Sequence, residues 1–568
     1  MPNLPVGAPS LVKSKAESLK EESRNLRGGI AAELQEPSPK FSNPSAGLLK
    51  FHGMYQQEDR DARRIARQEG GDKHYMFMVR SKVPGGQLSA GQYLVHDRLA
   101  REFGNGTLRI TTRQDFQIHG VLKGDLRAAV GSLNQQLITT LGACGDIARN
   151  VVTCPSPAAD RVALRLQEYA LAITQFAMPK GRFYHEIWLD GERITPEEPE
   201  EEPLYGRAYL PRKFKTAISF PGDNCIDVYS NDIAFVPELV DGGLAGFTLL
   251  AGGGLGMTHH KKETYPRLAS PIAFITPERL LPTVEAMIGI HRDFGDRNNR
   301  RHARLKYVVE ELGVPAIRAE LEQRLGAHLA DPKDLVWRDA ADHLGWGSEG
   351  DDRWYLGLPI ENGRLRDGDA NETLTGLREI VSRFGYAVRL TPQQNLLLCG
   401  IPSRERPALE LLLRRYGIPQ AASLSGLALN ALACPALPTC GLSLAESERV
   451  FPALLRDLER ELIGLGLRDE QISVRMTGCP NGCARPYTSE IGFVGKTAGV
   501  YDVYAGGSFH GTRLAEVLAE SVPFDKLLAS LRPSLRAFRE DRLPGERFGE
   551  FCARAGLSLR HELALLEA

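Results

Sequence analysis

Long apolar runs are missing from this 568-residue chain. No stretch approaches the roughly 18–20 consecutive apolar residues that a membrane-spanning helix needs. The first residues, Met1 to Gln35, are polar and lack the apolar core of a secretory signal. Glu17, Glu21 and Glu22 argue against an acid-poor transit peptide, so a cytoplasmic location is expected. An excess of one charge is missing too. Lys and Arg number 70 against 71 Asp and Glu, a net charge of −1. Nucleic acid is thereby disfavoured as the main partner, because phosphate binding draws on a basic excess. A complete nucleotide loop is also absent. Gly252-Gly-Gly-Leu-Gly256 follows the apolar Phe247-Thr-Leu-Leu250, but Met257 stands where the dinucleotide fingerprint needs glycine. No Walker loop and no flavin or NADPH site is legible. Finally, the nine cysteines are an odd count in a long chain with no signal, which reads as reduced thiols and not a disulfide framework.

What remains is ordinary soluble composition, 42% hydrophobic and 25% charged. The length predicts three to four domains. Residues 1–45, rich in Pro, Ser, Glu and Lys, read as a mobile N-terminal arm. Thr195 to Pro203 is an acidic, proline-rich stretch that reads as a solvated loop. The rest contains an internal repeat. Arg109 to Val121 aligns without gaps on Arg389 to Ile401, with Arg, Thr, Gln and Gly recurring at an offset of 280 residues. Phe103-Gly104 and Phe384-Gly385 precede the two copies, and Pro84-Gly-Gly86-Gln-Leu matches Glu361-Asn-Gly363-Arg-Leu. Each copy reads as strand, glycine turn, helix, strand, and each is followed by a longer alternation of helix and strand. The expected units are 46–150, 151–335, 336–425 and 426–568: small, large, small, large. Such a duplication places one site on a pseudo-twofold axis, built from both halves.

Four cysteines cluster late. Cys434-Pro-Ala-Leu-Pro-Thr-Cys440 is C-x5-C, and Cys479-Pro-Asn-Gly-Cys483 is C-x3-C. Two such pairs supply four thiolates to one metal centre. Zinc sites mostly use tighter C-x2–4-C pairs, so zinc fits poorly. An iron–sulfur cube needs wider loops, because the thiolates reach corners several Å apart. Idle buried thiols are the remaining alternative. A second constellation is basic. Lys213 and Lys215, in Tyr-Leu-Pro-Arg-Lys-Phe-Lys-Thr216, stand at i and i+2, which on a strand puts both on one face. A repulsive pair is explained by an anion between them, and repulsion makes one lysine a better proton donor. The alternative is a solvated basic edge strand.

The two cysteine motifs, with the repeat and this basic segment, resemble the sulfite/nitrite reductase hemoprotein family from about Lys50 to Gly556. Within the family the chain is most similar to the NADPH-dependent assimilatory branch. The resemblance implies an α+β fold, with ferredoxin-like half-domains at 46–150 and 336–425. Larger α/β cofactor domains follow, the first binding siroheme and the second carrying a 4Fe–4S cluster. It implies that Cys434, Cys440, Cys479 and Cys483 hold the cluster, and that Cys483 also binds the siroheme iron. Arg80, Arg149, Lys213 and Lys215 would line the catalytic face, with Arg80 preferred to Lys82. Arg113, Gln117, His119, Arg212, Lys306 and Asn481 would contact the macrocycle, Lys306 being favoured over Arg304. Arg113, Gln117 and His119 would alternate on one strand, and the glycine loop would pack backbone against the macrocycle. His259 and His260 would not be iron ligands. Cys144, Cys154, Cys225, Cys399 and Cys552 would be small core residues, although Tyr55 and Cys144 match a place where some relatives carry a cross-link.

The implied activity is six-electron reduction of sulfite to sulfide, serving sulfate assimilation and cysteine biosynthesis. Electrons would come from a flavoprotein subunit, or alternatively from ferredoxin. A siroheme nitrite reductase is the rival reading, disfavoured because nitrite-type relatives tend to carry Asn at the place of Lys215. A non-enzymatic iron–sulfur or zinc protein is the rival from another class.

Overall fold

The computed structural model describes residues 13–71, 73–157, 160–180, 188–189, 192–193 and 201–556. The acidic loop read at 195–203 lies, up to residue 200, outside them. Among the described residues no helix is long and apolar enough to cross a membrane.

Among the described residues, four five-stranded sheets organise the fold. Two belong to the small repeated units. In the first, strands Met54–Glu58, Tyr75–Arg80, Phe116–Val121 and Leu108–Ile110 form an antiparallel set. In the second, Gly345–Gly350, Arg353–Leu358, Leu396–Pro402 and Ala387–Leu390 repeat it. The fifth strand of each sheet is exchanged. Gln87–Leu88 of the first copy pairs with Val388 and Arg389, while Arg364–Leu365 of the second pairs with Leu108 and Arg109. The two units therefore bury a single shared core, including Phe77, Phe116, Leu358 and Leu398. The matching glycine turns have a reciprocal cause. Gly86 and Gly363 both take positive φ, +72° and +71°, and a Cβ on them would lie 2.3 Å from Leu390 O and 2.6 Å from Ile110 O. Only glycine permits both the conformation and the approach.

The large units are duplicated in the same way. Strands Ala148–Thr153, Phe214–Ile218 and Ile233–Val240 run parallel, then Gly243–Ala251 and Ser270–Ile275 return antiparallel. Ala431–Ala433, Val474–Thr477, Ile491–Thr497, Val500–Ala505 and Glu516–Pro523 repeat that pattern. Local sequence fixes the elements. Asp241-Gly242, at φ +50° and +74°, turns the hairpin after Val240. Asp160 caps helix Arg161–Phe176 by accepting from Ala163 N at 2.7 Å.

The N-terminal region differs from expectation. From Lys13 onward it is packed, not a mobile arm. Helix Lys15–Glu22 buries Glu17 and Lys20, which are hydrogen-bonded to each other, and Lys20 Nζ donates to Leu210 O at 2.7 Å. Arg297 pairs with Glu17 at 2.5 Å, and Asp146 lies 3.8 Å from Lys20. Composition marked the segment as polar, but its charges have buried partners in the first large unit. Residues 1–12 of that expected arm lie outside the described residues.

Candidate active site

Adjacent parallel strands bring the two cysteine loops together. Ala433 registers with Met476, so Cys434 and Cys479 leave the same sheet edge at the carboxyl ends of their strands, where open α/β sheets bind ligands. Gly478 N donates to Cys434 Sγ at 3.3 Å, and Leu444 N and Ala445 N to Gly478 O at 2.8 and 2.9 Å. Cys434 and Cys479 are buried, Cys440 is half-buried, and Cys483 is exposed. Burial and then the neighbouring Cys483 thiol push Cys434 and Cys440 up, and Cys479 up to about 12. The four thiols are thus electrostatic neighbours. They do not converge as single-ion ligands do: among the described residues only a different group brings its ligand atoms within 4.8 Å of one another. A spread set of mutually repelling thiols fits an iron–sulfur core, whose irons compensate thiolate charge, better than one zinc ion.

Both halves hold these loops. Arg109, 1% exposed, pairs with Glu448 and donates to Ala433 O at 2.7 Å. Arg364 donates to Glu448 at 2.7 and 3.0 Å, and Gln394 to Ala433 O at 3.1 Å. Arg60 donates to Cys440 O at 3.2 Å and Ser443 O at 2.6 Å, and Thr112 to Cys483 O at 3.2 Å.

A basic cluster lies near Cys483. Arg80, Lys213 and Lys215 are all near enough to that thiol to feel it electrostatically. Burial, then Lys215 and Arg304, hold Lys213 well below the usual ammonium range. Burial, then Arg113 and Arg304, lower Lys215 to about 7. Neither ammonium has a hydrogen-bond acceptor or ion-pair partner among the described residues, whereas Arg304 is paired with Asp232 at 2.9 Å. With its amide oxygen turned to Arg80, Gln117 accepts from Arg80 Nε at 3.1 Å and donates to His119 Nε2 at 3.2 Å. The His119 ring proton is then on Nδ1, which is buried and has no acceptor. Arg113 Nε is another buried donor without an acceptor. Unsatisfied buried donors are costly, so these residues fit a group rich in carboxylates together with a small anion.

Other expected residues are placed differently. Arg113 lies on the turn before strand Phe116–Val121, not on it, and its guanidinium binds Asn231 Oδ1 at 2.9 Å and the carbonyls of Asn150 and Thr216. Arg149 clasps its own loop, donating to Gly145 O at 2.7 and 2.9 Å and to Ala143 O at 3.2 Å. Arg212 lies 3.6 Å from Asp146. Lys306 gives its donors to Gly254 O at 3.1 Å, Gly256 O at 3.0 Å and Tyr265 O, so here it anchors the glycine loop and does not face a carboxylate. That loop packs on the cysteine loop: Met257 N donates to Pro480 O at 2.9 Å, and a Cβ at Gly256 would lie 3.1 Å from Asn481 O. Asn481 Nδ2 donates to Cys479 Sγ at 3.5 Å. Lys82 turns to Ala148 O at 3.4 Å, away from Gln117. Cys144 is fully buried and biases the Tyr55 phenol, so the two are neighbours. Sequence reasoning missed Glu448 and Arg109 as organisers. Arg109 was visible as the first residue of the repeat; Glu448 carried no local signal.

Comparison with known proteins shows the family. Residues 170–329 match the family described as nitrite and sulphite reductase 4Fe-4S domain. Residues 68–136 and 347–416 each match the nitrite/sulfite reductase ferredoxin-like half domain. The chain is 44% identical over 561 residues to the sulfite reductase (NADPH) hemoprotein beta-component of Geobacillus kaustophilus, covering 98% of each. It is 45% identical over 544 residues to the protein of that name from Myxococcus xanthus, covering 96% of each. The solved structure of the Mycobacterium tuberculosis NirA protein superposes with a TM-score of 0.77 at 26% identity, covering 96% of this chain and 97% of that one.

Proposed function

Because this chain belongs to the nitrite and sulphite reductase family, we propose that it is the catalytic hemoprotein component of a sulfite reductase, reducing sulfite to sulfide with six electrons. It carries siroheme and a 4Fe–4S cluster. Bound together, they would supply stepwise electron delivery to the substrate. In this reading Cys434, Cys440, Cys479 and Cys483 would hold the cluster, and Cys483 would also hold the siroheme iron. The observation that carries the substrate assignment is the half-buried, acceptor-free pair Lys213 and Lys215, which with Arg80 lies near Cys483. Fixed cations bind a dianion and resist reorganisation during reaction.

The three oxygens of sulfite leave as water, so protons must be supplied. Lys215, lowered to about 7, holds a proton near neutrality and gives it up readily. Arg80 stays charged, oriented by Gln117. Arg149 is fixed on the Ala143–Gly145 loop. A neutral His119 and a charged Arg113 would offer Nδ1 and Nε to macrocycle carboxylates. Electrons arrive from a flavoprotein component that oxidises NADPH, in the cytoplasm, for sulfate assimilation and cysteine biosynthesis. Nitrite, a monoanion, needs fewer cations and is the weaker substrate.

The test combines an absorption spectrum with turnover. The purified protein should show siroheme bands above an iron–sulfur background, and should oxidise reduced methyl viologen on adding sulfite, with sulfide as product. A colourless protein, or a brown one without siroheme bands, would refute the reading.

A further inference from the structure

Two of the cysteines expected in the core are buried there, but beside polar side chains. Cys154 and Cys225 meet Asp223 and His343, and one ligand atom from each lies within 4.8 Å of every other. Cys154 Sγ is 3.0 Å from His343 Nε2 and 3.2 Å from Asp223 Oδ2, and those two atoms are 3.1 Å apart. A nucleophilic triad would put the carboxylate on the second ring nitrogen, to orient the base. Here thiol and carboxylate converge on the same nitrogen. Four donors aimed at one point is the arrangement of ligands around a single ion. Tetrahedral zinc with thiolate at about 2.3 Å and imidazole at about 2.0–2.1 Å separates its ligand atoms by about 3.3–3.8 Å. The observed spacing needs only a small expansion to reach that.

The position of the group strengthens the case. It is the pseudo-twofold counterpart of the cysteine site in the second half. Cys154 directly follows the first parallel strand of its sheet and precedes a proline, as does Cys434. Cys225 stands eight residues before Ile233, the first residue of the third strand, and Cys483 stands eight before Ile491. The supporting arginines are duplicated too. Arg389 donates to Pro155 O at 3.1 Å and Ser156 O at 3.2 Å, as Arg109 does to Ala433 O.

We propose that Cys154, Cys225, Asp223 and His343 bind one structural zinc ion, a second metal centre at the pseudo-symmetric place of the iron–sulfur site. Convergence within 4.8 Å leaves no room for a cube. Four protein ligands close the coordination sphere, which makes the site structural. Asp223 Oδ1 accepts from Cys225 N at 2.7 Å, leaving Oδ2 for the ion. The ion welds three segments: the end of strand Ala148–Thr153, the loop before Ile233, and the linker into the second half-domain. That linker already zips onto the loop through Asn224 N to Asp339 O at 2.8 Å and Arg338 N to Gly222 O at 2.7 Å.

Metal analysis and zinc-edge X-ray absorption on the fully loaded holoenzyme, grown with zinc and washed with chelator, test this. About one zinc per chain is expected, with two sulfurs at about 2.3 Å and two lighter ligands at about 2.0–2.1 Å. The Cys154→Ser/Cys225→Ser double variant should lose at least tenfold of that zinc while keeping siroheme absorbance. Absence of zinc, a Cys154–Cys225 disulfide in protein isolated under reductant, or zinc retained by the variant would overturn the proposal. A four-sulfur zinc shell would place the ion at the other cysteines, and surplus iron in its stead would overturn the choice of metal. The absorption spectrum of the wild-type protein decides the matter even if the variant does not fold.

Discussion

Replacing Lys215 with methionine removes one charge from the basic cluster and keeps most of the side chain's volume. Lys215 is lowered from 10.5 to about 7, by burial first and by Arg113 and Arg304 next, against the opposing pull of Asp232 and Cys483. A depression of that size corresponds to on the order of 5 kcal/mol acting against the ammonium while no anion is bound. A bound dianion recovers part of it. One charge-assisted contact contributes about 1.5–3 kcal/mol, so kcat/KM for sulfite should fall about ten- to a hundredfold. Nitrite, with one charge, should lose less. The same lysine predicts a pH effect on stability. Its folded value is depressed, so between about 7 and 10.5 the unfolded chain holds a proton that the folded chain has released. Stability without substrate therefore rises with pH across that window. Lys215→Met should flatten the rise and leave the variant the more stable protein near pH 7. Steady-state assays with reduced methyl viologen and melting curves at several pH values measure both effects. Equal losses for sulfite and nitrite, or an unaltered pH profile of the melting point, would refute the reasoning.

Other perturbations have defined outcomes. Cys434→Ala should abolish most activity and lose both cluster iron and siroheme; retention of about four irons and four sulfides per chain would contradict its role as a ligand. Glu448→Gln leaves Arg109 and Arg364 without their carboxylate and should cost about 3–5 kcal/mol, read as a lower denaturation midpoint with poorer cluster loading. Gly86→Ala, at φ +72° and 2.3 Å from Leu390 O, should separate the exchanged strands and lower the melting point by several degrees, while Gly124→Ala, with nothing near its Cβ, should not. Deleting residues 1–35 removes Lys20 and Glu17 from a buried network and should destabilise the chain; an unchanged melting point would show that the helix contributes nothing.

The duplication was legible because hydrophobic pattern and turn chemistry recur at fixed offsets, and the strands fall where the aligned segments predict: Leu108–Ile110 and Phe116–Val121 against Ala387–Leu390 and Leu396–Pro402. The exchanged strands were not, since two-residue elements have no periodicity to detect. The four cysteines stood out by spacing alone. The cations stood out only as types. Whether Lys306 faces a cofactor or a backbone carbonyl depends on three-dimensional competition for its protons, which no linear pattern encodes. The N-terminal segment failed for the same reason: its charges look solvated until Asp146 and Leu210 are known to lie beside them. Cys154 and Cys225 lie 71 positions apart in chain order, with His343 further on, so no motif announces their meeting.

The two halves could not have stayed identical and kept this site. Asp227 and Arg485 occupy equivalent positions, six residues before Ile233 and Ile491, and both take left-handed backbone conformations, at φ 52° and 59°. They meet each other: Arg485 Nε lies 2.6 Å from Asp227 Oδ2, with Arg475 Nη1 at 2.9 Å from the same oxygen. In a perfect duplicate, equivalent residues meeting at the axis would carry the same charge, and two buried like charges at that distance would drive the loops apart. Making one acidic and the other basic turns this contact between the halves into an ion pair. That pair lies two residues from both Cys225 and Cys483. It therefore fixes the separation of the two cysteine loops, and once they differ at this point each is free to specialise. One spreads its thiols near the basic cluster, as the proposed iron–sulfur site requires. The other draws its donors together to the dimensions of a single ion.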